Sequence, residues 1–512
     1  MRRGGPPRLP TMNHRTHTLL WKQLLQRSAR SNLSLQGQIR EMLVSAILDG
    51  LVEPGTPVPS GRELAEQLGV ARNTVVLAYK QLADEGYLLS RQRSGHFVNA
   101  QFVAGLRARD PDAAGGGASL APIDWEGRLR LQPTRQRSIH KPADWQKFPY
   151  PFLYGQFDAS LFPTANWREC CLKALSVLDI RDWAPDHINR DDETLVQQIR
   201  TRVLPRRGVW AQAEEIVVTV GAQHALYMVA DLLLGESITL ALENPGYPDA
   251  RNIFAARTSR LVPIDVDADG LPVDQRLEQA DYLYVTPSHQ CPTGVTMPLE
   301  RRRQLLQWAD RNDLIIIEDD FESENRYGDE PIPALKSLDH SHRVIYIGSL
   351  SKSWAPGLRL GYIVAPAALA RELRALRRLM LRHPSAFVQR AFALFLSLGH
   401  HDAQLRRIAM TQQQRSQAAL EALSRHAPQC VVTPVIGGGS CWLRLPDGID
   451  TGELARRAAA AGVLIETGDV FFFEQPAPGP FMRLGWQSIP DKAIEPGIAL
   501  LGALIRELQA GA

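Results

Sequence analysis

The chain has 512 residues, 44% hydrophobic and 22% charged, enough for two to four soluble domains and without an apolar run near the ~20 residues of a membrane span. Five cysteines without C-x-x-C spacing (Cys170, Cys171, Cys291, Cys430, Cys441) argue against a disulfide framework or a metal site and fit reduced thiols in a cytoplasm. Net charge is +3, yet residues 1–98 hold 13 Lys/Arg against 7 Asp/Glu and the rest 45 against 48; such a basic end suits a polyanionic partner.

Residues 1–32 lack periodicity and read as a flexible extension. From Leu35 the apolar residues Ile39, Leu43, Ile47 and Leu48 recur at helical spacing, and Asp49-Gly50 stops the helix. Ser60 with Glu63 three residues on is a capping box for a short second helix, buried through Leu64, Ala65 and Leu68 and ended by Gly69. Ala71 to Asp84 forms a third helix on Val75, Val76, Tyr79 and Leu82. Two helices joined by a short Gly-containing turn make a helix-turn-helix. Tyr87-Leu88-Leu89 and His96-Phe97-Val98 then read as a two-stranded wing. The run Pro59-Ser60-Gly61-Arg62-Glu63-Leu64-Ala65, with Arg72-Asn73-Thr74-Val75, resembles the GntR family of winged helix-turn-helix domains over residues 33–98. That resemblance implies that Arg62 contacts DNA and that Gly95 and His96 of the wing approach the minor groove. Arg72, Asn73 and Thr74 open the recognition helix, where arginine can read guanine and Asn or Thr can reach bases or phosphates.

Residues 99–145, with Gly115-Gly116-Gly117, read as a linker whose flexible span would be roughly 35–40 Å. From residue 146 to 512 strands and helices alternate, an α/β pattern. The expected strands are Ile216–Val220, Ile238–Leu242, Leu261–Ile264, Tyr282–Val285, Leu314–Glu318, Val344–Ile347 and Tyr362–Ala365. They form one central seven-stranded sheet, followed by a small C-terminal α+β domain. Ligands of such sheets sit beyond the strand ends, where the motifs fall.

After the first strand, Gly221-Ala222-Gln223 opens a helix, so the backbone of Ala222 and Gln223 is a candidate anion site. Glu318-Asp319-Asp320-Phe321 puts carboxylates at a buried strand end, where they need a partner charge. Asp319 and Phe321, two apart, point the same way in an extended segment. Ser349-Leu350-Ser351-Lys352 follows a buried strand, and Arg359 comes seven residues after the lysine. A lysine beside a buried sheet edge suits a Schiff base to an aldehyde cofactor, and a planar guanidinium suits a phosphate.

The segment around Lys352 resembles the cofactor-lysine segment of fold-type I pyridoxal-phosphate (PLP) enzymes, and with Pro356-Gly357-Leu358-Arg359 it resembles the MocR family of transcriptional regulators. The resemblance implies PLP on Lys352, its phosphate on Ser349, Ser351, Arg359, Ala222 and Gln223, Tyr247 against its ring, and Asp319, rather than Asp320, on the ring nitrogen. Arg483 in Phe481-Met482-Arg483-Leu484-Gly485 would bind an effector's carboxylate. Cys291 and Phe321 depart from the asparagine and tyrosine that commonly serve the cofactor's phenolic oxygen. Tyr154-Gly155-Gln156 is expected near a dimer interface. The implied protein is a cytoplasmic, head-to-tail, domain-swapped homodimer, with no membrane association, that binds operator DNA and senses an amine or amino acid by aldimine exchange at Lys352. A working aminotransferase with an accessory DNA-binding domain, and a cofactor-free dimerisation scaffold, are the rival readings. The effector is not legible.

Overall fold

The computed structural model describes residues 21–26, 33–91, 94–107, 123–322, 333–352, 354–434 and 437–510. The chain divides into two units, Met1–Arg128 and Leu129–Ala512.

In the first unit, α1 (Leu35–Leu48) starts at Ser34, whose hydroxyl accepts the Gly37 N–H at 3.2 Å. Helix α2 (Gly61–Leu68) carries the capping box: Glu63 N donates to Ser60 Oγ at 3.2 Å and Ser60 N to Glu63 Oε2 at 2.9 Å. Gly69, at φ 71°, ends it in the left-handed region that favours glycine. Helix α3 (Arg72–Asp84) follows after three residues. Strands β1 (Leu88–Arg91) and β2 (Gly95–Val98) pair antiparallel as the wing. Ile39, Leu43, Leu64, Val75, Leu82, Leu88 and Val98 close one core. The Tyr79 hydroxyl donates to the Pro59 carbonyl at 2.7 Å, locking α3 against the turn before α2. Val76, expected in this core, is exposed.

The expected linker begins with structure. Helix α4 (Ala100–Arg107) is capped by Asn99, and its Val103 is buried in the same core. At eight residues, with Gly105 inside it and the Gly-rich run close behind, it is too short to show a helical period.

The second unit is built on a seven-stranded sheet. Its strands are β3 (Ile216–Thr219), β4 (Leu240–Asn244), β5 (Leu261–Asp265), β6 (Tyr282–Val285), β7 (Ile315–Asp320), β8 (Val344–Ser349) and β9 (Gly361–Val364), in the order β3-β9-β8-β7-β6-β4-β5. β9 runs opposite to the other six strands. Short apolar runs such as Ile315-Ile316-Ile317 are what a sheet covered on both faces requires. Four strands run further than expected: β4 to Asn244, β5 to Asp265, β7 to Asp320 and β8 to Ser349. At the ends of β4 and β7 the added carboxylates find buried partners: Glu243 accepts from the Thr286 hydroxyl at 2.5 Å, Asp319 from Tyr284 and Asp320 from Arg207. Helix α5 (Gly221–Leu233) follows β3. Toward the C-terminus, β10 (Val431–Val432), β11 (Ser440–Arg444), β12 (Glu466–Thr467) and β13 (Phe481–Gly485) form a second, antiparallel sheet in the order β10-β11-β13-β12. Residues of α6 (His400–His426) and α7 (Asp491–Ala510) share its core through Ala419, Leu423, Ile494 and Leu501.

Candidate functional site

Because β3, β4, β6, β7 and β8 are parallel, their C-terminal ends share one edge of the sheet, and antiparallel β9 begins there. Each strand delivers a short polar segment to that edge. Ala222, Gln223, Tyr247, Asp319, Ser349, Ser351, Lys352, Arg359 and Arg483 all line one cavity of about 280 Å³.

One end of the cavity is an anion cradle. Helix α5 has no side chain capping its first turn, so the backbone N–H groups of that turn remain available. Gly221 sits at φ 78°, and a Cβ there would stand 3.2 Å from the Arg359 guanidinium. Glycine is thus required for both the turn and the close approach of arginine. Arg359 Nη2 donates to the Val220 carbonyl at 3.3 Å. Ser351 Oγ accepts the Leu360 N–H at 3.1 Å, closing the loop that presents Lys352. The Gln223 side chain is held by Asp249 at 3.1 Å, and the Tyr247 hydroxyl donates to the same carboxylate at 3.3 Å.

The adjacent carboxylates at the end of β7 face opposite ways. Asp320 is bound by Arg207 at 2.8 Å and accepts from the Tyr346 hydroxyl at 2.7 Å. Burial works against its charge, but Arg207 holds its pKa below the ordinary value. Asp319 faces the cavity: Oδ2 accepts from the Tyr284 hydroxyl at 2.9 Å, while Oδ1 is buried without a hydrogen-bond partner. Burial raises Asp319 to about 6. A buried carboxylate oxygen lacking a partner is costly, and a cationic ring N–H is the kind of group that would satisfy it. The donor set therefore fits PLP: an anion cradle, an amine, and an orphaned carboxylate oxygen on one cavity.

Lys352 is half-buried, and desolvation lowers its pKa. Its Nζ lies 4.2 Å from the centroid of the Phe321 ring and 5.1 Å from that of Tyr154. Phe321 and Asp319 both line the cavity, as their spacing requires. Cys291 also lines it, its thiol pushed up to about 11 by burial. Arg483 is buried and bound through Nε and Nη2 to Glu466 Oε2, at 2.7 and 2.6 Å. Burial opposes that charge, but Glu466, with Cys291 and Tyr154 beside it, holds the guanidinium above its ordinary pKa.

Several residues went unrecognised in the sequence. Tyr154, whose segment was expected near a dimer interface, lies in the cavity wall; its hydroxyl donates to Glu322 Oε2 at 2.8 Å. Glu322 also takes the Gly439 N–H at 3.1 Å and faces His289 at 3.2 Å. Lys141, inside the expected linker, lines the cavity too. Glu466 was discoverable only from strand register, since it stands directly opposite Arg483 in β12–β13.

In the first unit, Arg62, Arg72 and Asn73 are exposed and Thr74 is half-buried at the start of α3. Gly95 is exposed at the wing tip. The His96 ring packs edge-on against Tyr79, centroids 5.0 Å apart, with Nδ1 3.0 Å from Ser90 Oγ, so it also braces the wing on α3.

Residues 35–98 match the gntR family of bacterial regulatory proteins, and residues 192–479 match aminotransferase class I and II. The HTH-type transcriptional regulator TauR of Rhodobacter capsulatus is 42% identical over 92% of this chain and 97% of its own length. The rhizopine catabolism regulatory protein MocR of Rhizobium meliloti is 32% identical over 94% of this chain and 95% of its own. The crystal structure of Pyrococcus horikoshii kynurenine aminotransferase, a complex with PMP, superposes with a TM-score of 0.68 at 25% identity; the match covers 75% of this chain and 98% of that one. Full-length likeness to regulators, with a gntR head and an aminotransferase body in one chain, identifies a DNA-binding transcriptional regulator of the MocR family.

Proposed function

We propose that this regulator carries PLP on Lys352 and changes its hold on operator DNA when a primary amine or amino acid displaces the lysine from the cofactor. The observation that carries this reading is the single cavity joining Lys352, the orphaned Asp319 Oδ1 and the anion cradle. When bound, PLP supplies an aldehyde that condenses reversibly with primary amines. Desolvation keeps more of Lys352 as the neutral, nucleophilic amine. Asp319 Oδ1 would accept a hydrogen bond from the protonated ring nitrogen, and Tyr247 would lie against the ring. Ser349, Ser351, Arg359 and the N–H groups of Ala222 and Gln223 would hold the phosphate. Arg483 would receive an acid group of the effector.

In the head, Arg72, Asn73 and Thr74 would read the major groove, Arg62 would add a contact, and Gly95 with His96 would reach the minor groove. A cytoplasmic, head-to-tail homodimer with exchanged heads is part of the same reading, supported by membership of the family. A ligand moves DNA affinity only through different affinities for two states of the protein. The test is operator affinity of the PLP-loaded protein, on duplexes selected from random sequence, across a panel of amines and amino acids. A ligand that shifts the cofactor's absorbance and also changes DNA affinity is the expected result. Spectral shifts that leave DNA affinity untouched for every ligand would contradict it.

A further inference from the structure

Residues 136–141 stand between two cavities, in a stretch that the sequence reads as linker. Ile139 lines the cavity of Lys352 and also a second one of about 430 Å³, whose lining includes Gln136, Ser138, His140, Thr467 and Asp469. The segment is extended: Arg137, Ile139 and Lys141 are half-buried, while Ser138 and His140 between them are exposed. Lys141 lines the first cavity, and Ile139 packs on the cluster that contains Tyr154 and Phe321, both in the wall of that cavity.

Side chains make its hold. Among the described residues, Arg137 to Lys141 take part in no backbone–backbone hydrogen bond. At one end the Arg137 guanidinium donates to the Phe472 carbonyl at 2.8 Å and to those of Asp469 and Phe473 at 3.3 Å, and Asn252 Nδ2 donates to the Arg137 carbonyl at 2.8 Å. At the other end the Lys141 ammonium donates to the Tyr154 carbonyl. The Phe472 carbonyl also accepts from Arg251 Nη1 at 2.8 Å, so two like charges meet on one acceptor and their repulsion loosens the Arg137 end. A segment held by a few side chains, with open space on one side, can leave its seat without breaking a sheet. Toward the N-terminus it runs into the chain that carries the DNA-binding head.

We propose that residues 137–141 are a detachable strap that couples the cavity to the head. A ligand filling the cavity packs against Ile139 and Lys141 and holds the strap docked, and the docked strap fixes where the tether of the head leaves the second unit. Those contacts exist only in the docked state, which is the differential affinity a switch requires. This rests on the reading of the cavity as the site of PLP and effector. The test uses full-length protein as wild type, Arg137→Ala and Asn252→Ala, each free of cofactor and saturated with N-(5′-phosphopyridoxyl)-L-alanine, a stable conjugate that fills cofactor and effector positions together. Thermolysin cuts before apolar residues, so the Ser138–Ile139 bond becomes a substrate when Ile139 leaves the wall, and mass spectrometry reads that cut as the population of the released strap. In the wild type the conjugate should slow the cut by about tenfold or more. Each variant, free of cofactor, should speed it by about three- to tenfold, as fits the loss of hydrogen bonds at one end. Each should also move affinity for operator duplexes, selected from random sequence, in the direction opposite to that in which the conjugate moves the wild type. An unslowed cut in the conjugate-bound wild type, or a faster cut in the variants with operator affinity unchanged or moved the same way, overturns the proposal. A wild type that takes up neither PLP nor the conjugate overturns the underlying reading of the cavity, and the proposal with it.

Discussion

Asp319→Asn tests the cofactor site through stability, without any turnover. Burial raises this carboxyl from the ordinary 3.8 to about 6 in the cofactor-free protein. An acid whose folded pKa exceeds its unfolded one holds its proton more tightly when folded. Stability is therefore highest below the unfolded pKa and is lost as pH rises through the folded one. A shift of about two units, at ~1.4 kcal/mol per unit, burdens the folded state by about 3 kcal/mol near pH ~8. Asparagine keeps an acceptor for the Tyr284 hydroxyl and carries no charge. Cofactor-free Asp319→Asn should therefore gain on wild type as pH rises from about 4 to about 8, by roughly 2–3 kcal/mol. Loaded with PLP the sign reverses: the cationic ring nitrogen would complete the orphaned Oδ1, and the asparagine forfeits that attraction. Urea unfolding of both proteins across this pH range, with and without PLP, reads both effects. Parallel pH profiles without cofactor, or equal PLP affinity for both proteins, would refute the reasoning.

Lys352→Ala should remove the visible absorbance of bound cofactor while circular dichroism stays that of the wild type. Gly221→Ala, forced to φ 78° with its Cβ against Arg359, should lose about 1–2 kcal/mol of stability and bind both PLP and inorganic phosphate more weakly, measured by calorimetry. Arg72→Ala should weaken operator binding by ~1–3 kcal/mol and affect random-sequence DNA far less, measured by fluorescence anisotropy.

The sheet was legible because its strands are short apolar runs, and the head because caps, turns and spacing all agreed. Lys352, Arg359 and Arg483 were singled out by the family resemblance of their segments, since each alone would pass as a surface cation; the fold brings all three to one cavity. Asp319 was chosen over Asp320 by resemblance; the physical reason lies with Arg207, more than a hundred residues away, whose ion pair engages Asp320. Glu466 and Lys141 were invisible for the same reason: strand register and chain crossing bring them to Arg483, and no local pattern records either. Tyr154 was placed near a dimer interface by resemblance and given no role in the site, because no local pattern records that its backbone and hydroxyl bind Glu466, Lys141 and Glu322. Helix α4 was read as linker because it is short; it packs through Val103 and through Phe102, which sits edge-on against Tyr87.

The central claim, that this regulator holds PLP covalently at Lys352, has a direct measurement. Borohydride reduction of the PLP-loaded protein makes a cofactor–lysine bond permanent, and mass spectrometry of the digested chain locates it. The account predicts one phosphopyridoxyl group, on Lys352, and none when the protein is first saturated with an effector amine. A modified lysine elsewhere, or no modified lysine in protein that retains cofactor through gel filtration, would contradict it.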